Sequence, residues 1–295
     1  MKKIRLFSIL FIMIAGLSFG TKAQLNLLSG IEGGTYQALS KDIKSASTQE
    51  IIIITSKGSV DNFEQLIDNS NDIFVAFIQY DVLIHNETLK EGLRKKLRVL
   101  LHLFLDEEVH IITKSDSKII NLSDLKGKKV AVGSKGQGTF VSAATIKKAS
   151  RIDWIDVPMS INDAQKALDA GEIDAYFYVG GAPVNSLLEL GKSAKLRLVN
   201  IDFDGLENIY SKKVIAKGTY PWQKKEVTTF VVPTVLVCNV KDMTIDTRRK
   251  LNTLISDTKA GLGTFQKKGH AKWKEVYVKS HAINWPYYYL KPIVE

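Results

Sequence analysis

Residues Lys128 to Ala149 read KKVAVGSKGQGTFVSAATIKKA. Val130, Ala131 and Val132 form a short apolar run that stops at Gly133. Gly133, Gly136 and Gly138 make a glycine-rich turn, and Thr139 opens a segment of helical pattern. Strand, glycine turn and helix N-terminus in succession leave backbone N–H groups without intrahelical acceptors, an arrangement that favours an anion. A second copy lies near the start of the chain, where Leu25-Asn26-Leu27-Leu28 runs into Ser29-Gly30-Ile31-Glu32-Gly33-Gly34-Thr35-Tyr36. Two such units predict an α/β protein that holds a small anionic ligand between two loops.

Outward from these loops the pattern continues. Tyr36 to Ser45 carries Ala38, Leu39 and Ile43 on one side, a helical spacing. Ile51-Ile52-Ile53-Ile54 is a continuous β-branched run, expected as a parallel strand buried on both faces. A helix is expected from Val60, and Ile73 to Ile78 reads as a third strand closed by Gln79-Tyr80-Asp81. Strand, helix, strand, helix, strand is the signature of a wound parallel sheet, in which ligands sit at the carboxyl ends of the strands. Val99–Phe104 and Val109–Thr113 read as two more strands, with Asp106-Glu107-Glu108 as a solvated loop between them. After the opening stretch, a helix over residues 160–170 is expected, with Ser160 as its cap and Gly171 as its stop, then a strand from Ile173 to Val179. The apolar run Thr228 to Cys238 is expected to have its ladder broken at Pro233, and helices are expected near 246–265 and 271–279.

The ends of those elements supply the candidate ligand-binding residues. They are Gly34, Thr35 and Tyr36; Ser59, Val60 and Asn62; Gln79 and Asp81; Gln137, Gly138, Thr139 and Phe140; and Gly180 with Gly181. Each set follows a strand, and the glycines admit close approach of backbone to ligand.

Composition narrows the function. The chain has 295 residues and a formal charge of +10. Residues 1–23 combine a basic start (Lys2, Lys3, Arg5), an apolar core from Leu6 to Gly20 and a small residue, Ala23, at the end. That is the pattern of a cleaved export signal, so the mature protein is expected to be periplasmic. Its lysines form no aromatic-interleaved stripe, so no nucleic-acid partner is expected. The single Cys238 allows no internal disulfide, and its apolar setting predicts a buried thiol. The five histidines show no metal-ligand spacing, the glycine turn lacks the lysine of a P-loop, and no nucleophile elbow occurs. No metal, no cofactor and no catalytic residue is expected.

Several motifs, in order, resemble one family. They are Gly33-Gly34-Thr35-Tyr36, Gly58-Ser59-Val60-Asp61-Asn62, Gln79-Tyr80-Asp81, Asp124 to Gly133 with Gly138-Thr139, Gly171 to Ala175 with Gly181-Ala182-Pro183, and Tyr220-Pro221 ahead of Val231-Val232-Pro233. Together they look like the TAXI solute receptors that serve TRAP-type transporters. The resemblance implies a type II periplasmic binding-protein fold, with two α/β lobes joined by crossover strands near 110–113 and 233–236. It implies lobe I over residues 24–112 and 235–295, lobe II over 113–234, and a monomer that carries a small carboxylate or acidic amino acid to TRAP membrane subunits. The alternatives are a receptor for an ABC importer and a periplasmic sensor of the same fold. Gln137 stands where the family usually has serine, and Tyr36-Gln37 where it usually has a tyrosine pair.

Overall fold

The computed structural model describes residues 24–68, 72–276 and 283–290; the expected export signal over residues 1–23 lies outside the described residues. The first lobe is built from β1 (Gln24–Leu28), α1 (Thr35–Ala46), β2 (Glu50–Ile54), α2 (Ser59–Asp68), β3 (Ile73–Gln79), α3 (Tyr80–Glu87) and the short α4 (Leu93–Lys96). β1 lies between β2 and β3 and is parallel to both, as the strand–helix alternation predicts. β2 is the outer strand of the sheet, so Ile52, Ile53 and Ile54 are half-buried rather than enclosed on both faces.

Two long strands tie this lobe to the second. β4 (Leu97–Lys114) runs unbroken through the acidic triplet, where the sequence suggests two strands and a solvated loop. No Gly, Pro, Asn or Ser separates Leu101 from Ile112, and without turn chemistry the extended backbone continues. Later in the chain β10 (Val227–Asn239) returns antiparallel to β4, with Pro233 opposite Asp106. On its other edge β10 pairs through Val231 with β9 (Ser211–Ile215), and from Thr234 onward with β3. Pro233 therefore does not break the strand. It sits in the gap where one edge changes partner, a position that tolerates a missing donor.

The second lobe contains β5 (Lys129–Ala131), α5 (Gly138–Ser150), β6 (Ile155–Val157), α6 (Ile161–Ala170), β7 (Ala175–Gly180), α7 (Asn185–Leu188) and β8 (Leu196–Leu198). β5 is parallel to β6 and β7, and β7 pairs with β4 from Glu108 to Thr113. Ser160 Oγ accepts the Asp163 N–H and Gly171 closes α6 in a left-handed turn, as the sequence predicts. The whole sheet has the order β2-β1-β3-β10-β4-β7-β5-β6.

α8 (Ile245–Lys268) crosses back to pack on α1, and the expected final helix is a short 3-10 turn, Ala271–Glu275. That turn brings Trp273 against Phe265 and places Lys272 in the interior. Cys238 is buried among Leu236, Leu251 and Leu254, and burial pushes its thiol up to about 12. A core of Val, Ile, Leu and aromatic side chains runs on both faces of the sheet, with one cluster continuous across β3, β10, β4 and β7.

Candidate functional site

The carboxyl ends of β1, β2, β3, β5 and β7 converge on one partly open cavity of about 60 Å³. Its wall is made by Gly30, Ile31, Gly34, Thr35 and Tyr36 after β1; Lys57, Gly58 and Ser59 after β2; Gln79; Glu107; Gln137, Gly138 and Thr139; and Tyr178 with Val179. Three helices begin there. Neither Gly34 before α1 nor Gln137 before α5 caps its helix with a side chain, so first-turn N–H groups stay available to a ligand. At α2, Ser59 Oγ accepts the Gln79 N–H at 2.8 Å and keeps its own proton free to donate.

The two lobes meet tightly around this space. A Cβ on Gly138 would lie 1.6 Å from Gln79 Oε1, so only glycine fits there. Gly58, at φ +131, lies against Gln137 Cα and Gly136 O, and the Asp61 N–H donates to Gly136 O at 3.1 Å. The loops of Gly58 and Gly136 thus touch across the mouth.

Eight of the fourteen sequence-predicted residues line the cavity: Gly34, Thr35, Tyr36, Ser59, Gln79, Gln137, Gly138 and Thr139. Six stand elsewhere. Asn62 is buried and donates to Ser29 O and Phe77 O, at 2.6 and 2.7 Å, which fixes β1 to α2 and β3. Asp81 is turned to Ser142 Oγ and Tyr210 OH, which donate to it at 2.5 and 2.6 Å, so it joins α3 to the second lobe. Burial raises its carboxyl above the ordinary value. Val60 and Phe140 pack on the core. Gly180 faces Glu108 in the β4–β7 ladder, and Gly181 leaves room for the stem of Lys272. The Gln137 side chain braces its own loop, its Oε1 accepting the Ser134 N–H at 2.8 Å.

The sequence reading missed Glu107, because it assigned the acidic triplet to solvent. Glu107 is 3% exposed and lines the cavity. Its Oε2 accepts from Tyr36 OH at 2.8 Å and from Gln79 Nε2 at 2.7 Å. Burial lifts its carboxyl to about 7, against the hydrogen bonds from Gln79, Tyr36 and Thr234 that favour the ionised form. The missing turn residues around the triplet were the signal that it belongs to a strand.

Glu108, next along β4, points to the opposite face, as alternate strand residues do. It is 2% exposed; its Oε1 takes Lys272 Nζ and Lys213 Nζ, both at 2.8 Å, and its Oε2 takes the Ala182 N–H at 2.6 Å. Burial works to raise its carboxyl, but Lys272 and Lys213 hold it below the ordinary value. His110, two residues on, is buried and pushed down to about 4 by desolvation, with Nε2 2.7 Å from Tyr220 OH. Among the described residues no group of three or more His, Cys, Asp or Glu is placed to hold a metal. No helix of the described residues is long and apolar enough to cross a membrane.

Parallel strands ending at a cleft, two lobes and two shared antiparallel strands define the fold of type II periplasmic binding proteins. Solved structures show the same fold. A protein from Listeria monocytogenes assigned as an L-cystine ABC transporter matches with a TM-score of 0.54 and 12% identity, over 86% of this chain and 99% of that one. An ancestral arginine-binding protein bound to arginine matches at 0.51 and 15%, over 86% and 96%. The effector binding domain of QuiR in complex with shikimate matches at 0.52 and 9%, over 81% and 98%. These likenesses establish architecture alone. Residues 27–283 match the model of the NMT1-like family, and the chain belongs to that family.

Proposed function

We propose that this protein is an extracytoplasmic solute receptor, which captures a small amino-acid-like carboxylate between its lobes without breaking a bond. The observation that supports this is the convergence of five strand ends and three helix N-termini on one cavity, with polar groups in its wall. A carboxylate there meets oriented N–H groups, each charge-assisted hydrogen bond contributing roughly 1.5–3 kcal/mol. The eight cavity-lining residues identified from sequence, with Glu107, are the proposed ligand contacts.

The proposed division remains lobe I over residues 24–112 and 235–295 and lobe II over residues 113–234. A hinge near Asp106–Glu108 and Val231–Thr234 is supported by the change of strand partners of β4 and β10 there. Ligand stabilises the closed form by its greater affinity for it. Delivery by a monomer to a TRAP-type transporter rests on the ordered motifs of the TAXI resemblance, and export rests on the basic start and apolar core of residues 1–23; a receptor for an ABC importer or a sensor shares the same cleft.

The test is mass analysis of small molecules released on denaturing the purified protein, with thermal-shift screening of amino acids and organic acids. Recovery of an unchanged small carboxylate supports capture. Absence of any released or stabilising solute refutes it. Co-purification from membranes with large and small TRAP subunits, rather than with an ATPase and permease, separates the transport readings.

A further inference from the structure

Asp81 belongs to a sequence motif that the cavity leaves unused. It lies in the first turn of α3, two residues beyond Gln79, and is 2% exposed. Its side-chain partners come from the other lobe of the proposed division. Ser142 Oγ of α5 and Tyr210 OH, just before β9, both donate to Asp81 Oδ2, at 2.5 and 2.6 Å. Asp81 Oδ1 is buried without a hydrogen-bond partner. Neither donor is charged, and two hydroxyls on one oxygen do not replace all the water that a carboxylate gives up on burial. Roughly 1 Å of separation takes either bond out of range, and it returns the carboxylate to water.

Glu108, the carboxylate on the hinge strand β4, is built differently. It is neutralised by Lys272 and Lys213 and accepts the Ala182 N–H, so its charge is offset where it stands. At Asp81 the bonds are short but the burial is only partly offset, which makes this contact the easier of the two to open.

The same residue sits where it can set the cavity wall. Gln79 lines the cavity from one lobe, and Gly138 with Thr139 lines it from the other. Asp81 follows Gln79 by two positions, and Ser142 follows Thr139 by three, one turn further along α5. α3 packs on α5, and Tyr210 is held against Phe230 of β10, with ring centroids 5.8 Å apart.

We propose that Asp81 is a positioning residue for capture: its clasp to Ser142 and Tyr210 draws the start of α5 against the end of β3 and so assembles the wall without touching the solute. The unpartnered Oδ1 keeps the clasp reversible, as release of a captured solute requires. This deepens the capture reading and rests on its two lobes moving about the hinge.

The experiment measures, by pulsed electron spin resonance with no solute added, the distance between spin labels on Lys44→Cys of α1 and Lys148→Cys of α5. Both positions are exposed, and the buried Cys238 takes no label. Tyr210→Phe and Ser142→Ala each take one donor from a carboxylate that is buried only while the lobes are joined. Each is expected to raise the ratio of long to short distances about tenfold, the effect of one charge-assisted hydrogen bond, and the two together to raise it further. In an Asp81→Ala background the same changes are expected to leave the distances as they are. Distances unchanged by the double deletion, or an equal lengthening with and without Asp81, would overturn the clasp and leave solute capture standing. Lengthening that needs Asp81 upholds the clasp even where no solute is found, a result that sinks only the capture reading. Tyr210→Phe keeps the ring on Phe230 and Ser142→Ala suits a helix, so neither variant threatens the fold.

Discussion

Glu107 ties the stability of the empty protein to pH in a direction opposite to that of most carboxylates. Its carboxyl is lifted from 4.5 to about 7 in the folded state, chiefly by burial. Between those values the unfolded chain has released the proton while the folded chain keeps it. Stability therefore falls as pH rises through this window and is level above it. A difference of 2.5 (7 minus 4.5), at 1.36 kcal/mol per unit, is about 3 kcal/mol. Glu107→Gln keeps the size and an oxygen for Tyr36 and Gln79, and removes the titration. The measurement is urea unfolding of the ligand-free wild type and variant at pH 5, 6, 7 and 8, with two optical probes to check cooperativity. Asp81, raised by burial, and Glu108, lowered by its two lysines, titrate in both proteins and cancel in the difference. The variant is expected to gain on the wild type by about 3 kcal/mol over the range, most of it between pH 5 and 7. A difference that stays flat with pH, or that shrinks as pH rises, would show that Glu107 is already ionised in the empty cavity and refute the desolvation account.

Two further outcomes follow from contacts at the hinge and mouth. Gly138→Ala forces Gln79 Oε1 from a position 1.6 Å away, and the displaced side chain loses its bond to Glu107 and fills the cavity. A loss of ~1–3 kcal/mol is expected in urea unfolding, with binding of any identified solute weakened more than tenfold; Gln79→Ala in the same chain should recover part of the stability, and strict additivity would exclude the clash. Lys272→Met leaves the buried Glu108 with Lys213 as the one remaining close cation among the described residues, so unfolding should show a loss of ~3–5 kcal/mol that Glu108→Gln, added to it, largely reverses. Equal loss in single and double variants would mean that packing, not charge, holds that turn.

How much of the site was visible in the chain depended on the range of the interaction. The Gly-Gly-Thr-Tyr and Gly-Gln-Gly-Thr loops were legible because strand end, glycine and helix start are local chemistry, and both loops line the cavity. Asp81 and Asn62 follow the same strand ends, yet their side chains are taken by Tyr210, Ser142, Ser29 and Phe77. Tyr210 lies 129 positions from Asp81, a pairing that no periodicity announces. Lys272 reads as one more surface lysine beside Trp273. It is 1% exposed because the turn at Ala271–Glu275 carries it past Gly181 to Glu108.

The sequence by itself determined the strand–helix alternation, the parallel order of β1, β2 and β3, the capped α6 and the two glycine loops, since each follows from apolar spacing or turn chemistry within about a dozen residues. The tertiary structure decided the fate of the acidic triplet. Glu107 and Glu108 are adjacent on one strand, and their alternation sends one into the cavity and the other to a pair of lysines. Burial shifts the first upward while paired charge holds the second down. The stretch from Lys128 to Ala149 announced an anion jaw; the Glu107 carboxylate that β4 brings into the same cavity depends on partners from α1, β3 and β10, which meet only when the chain is folded.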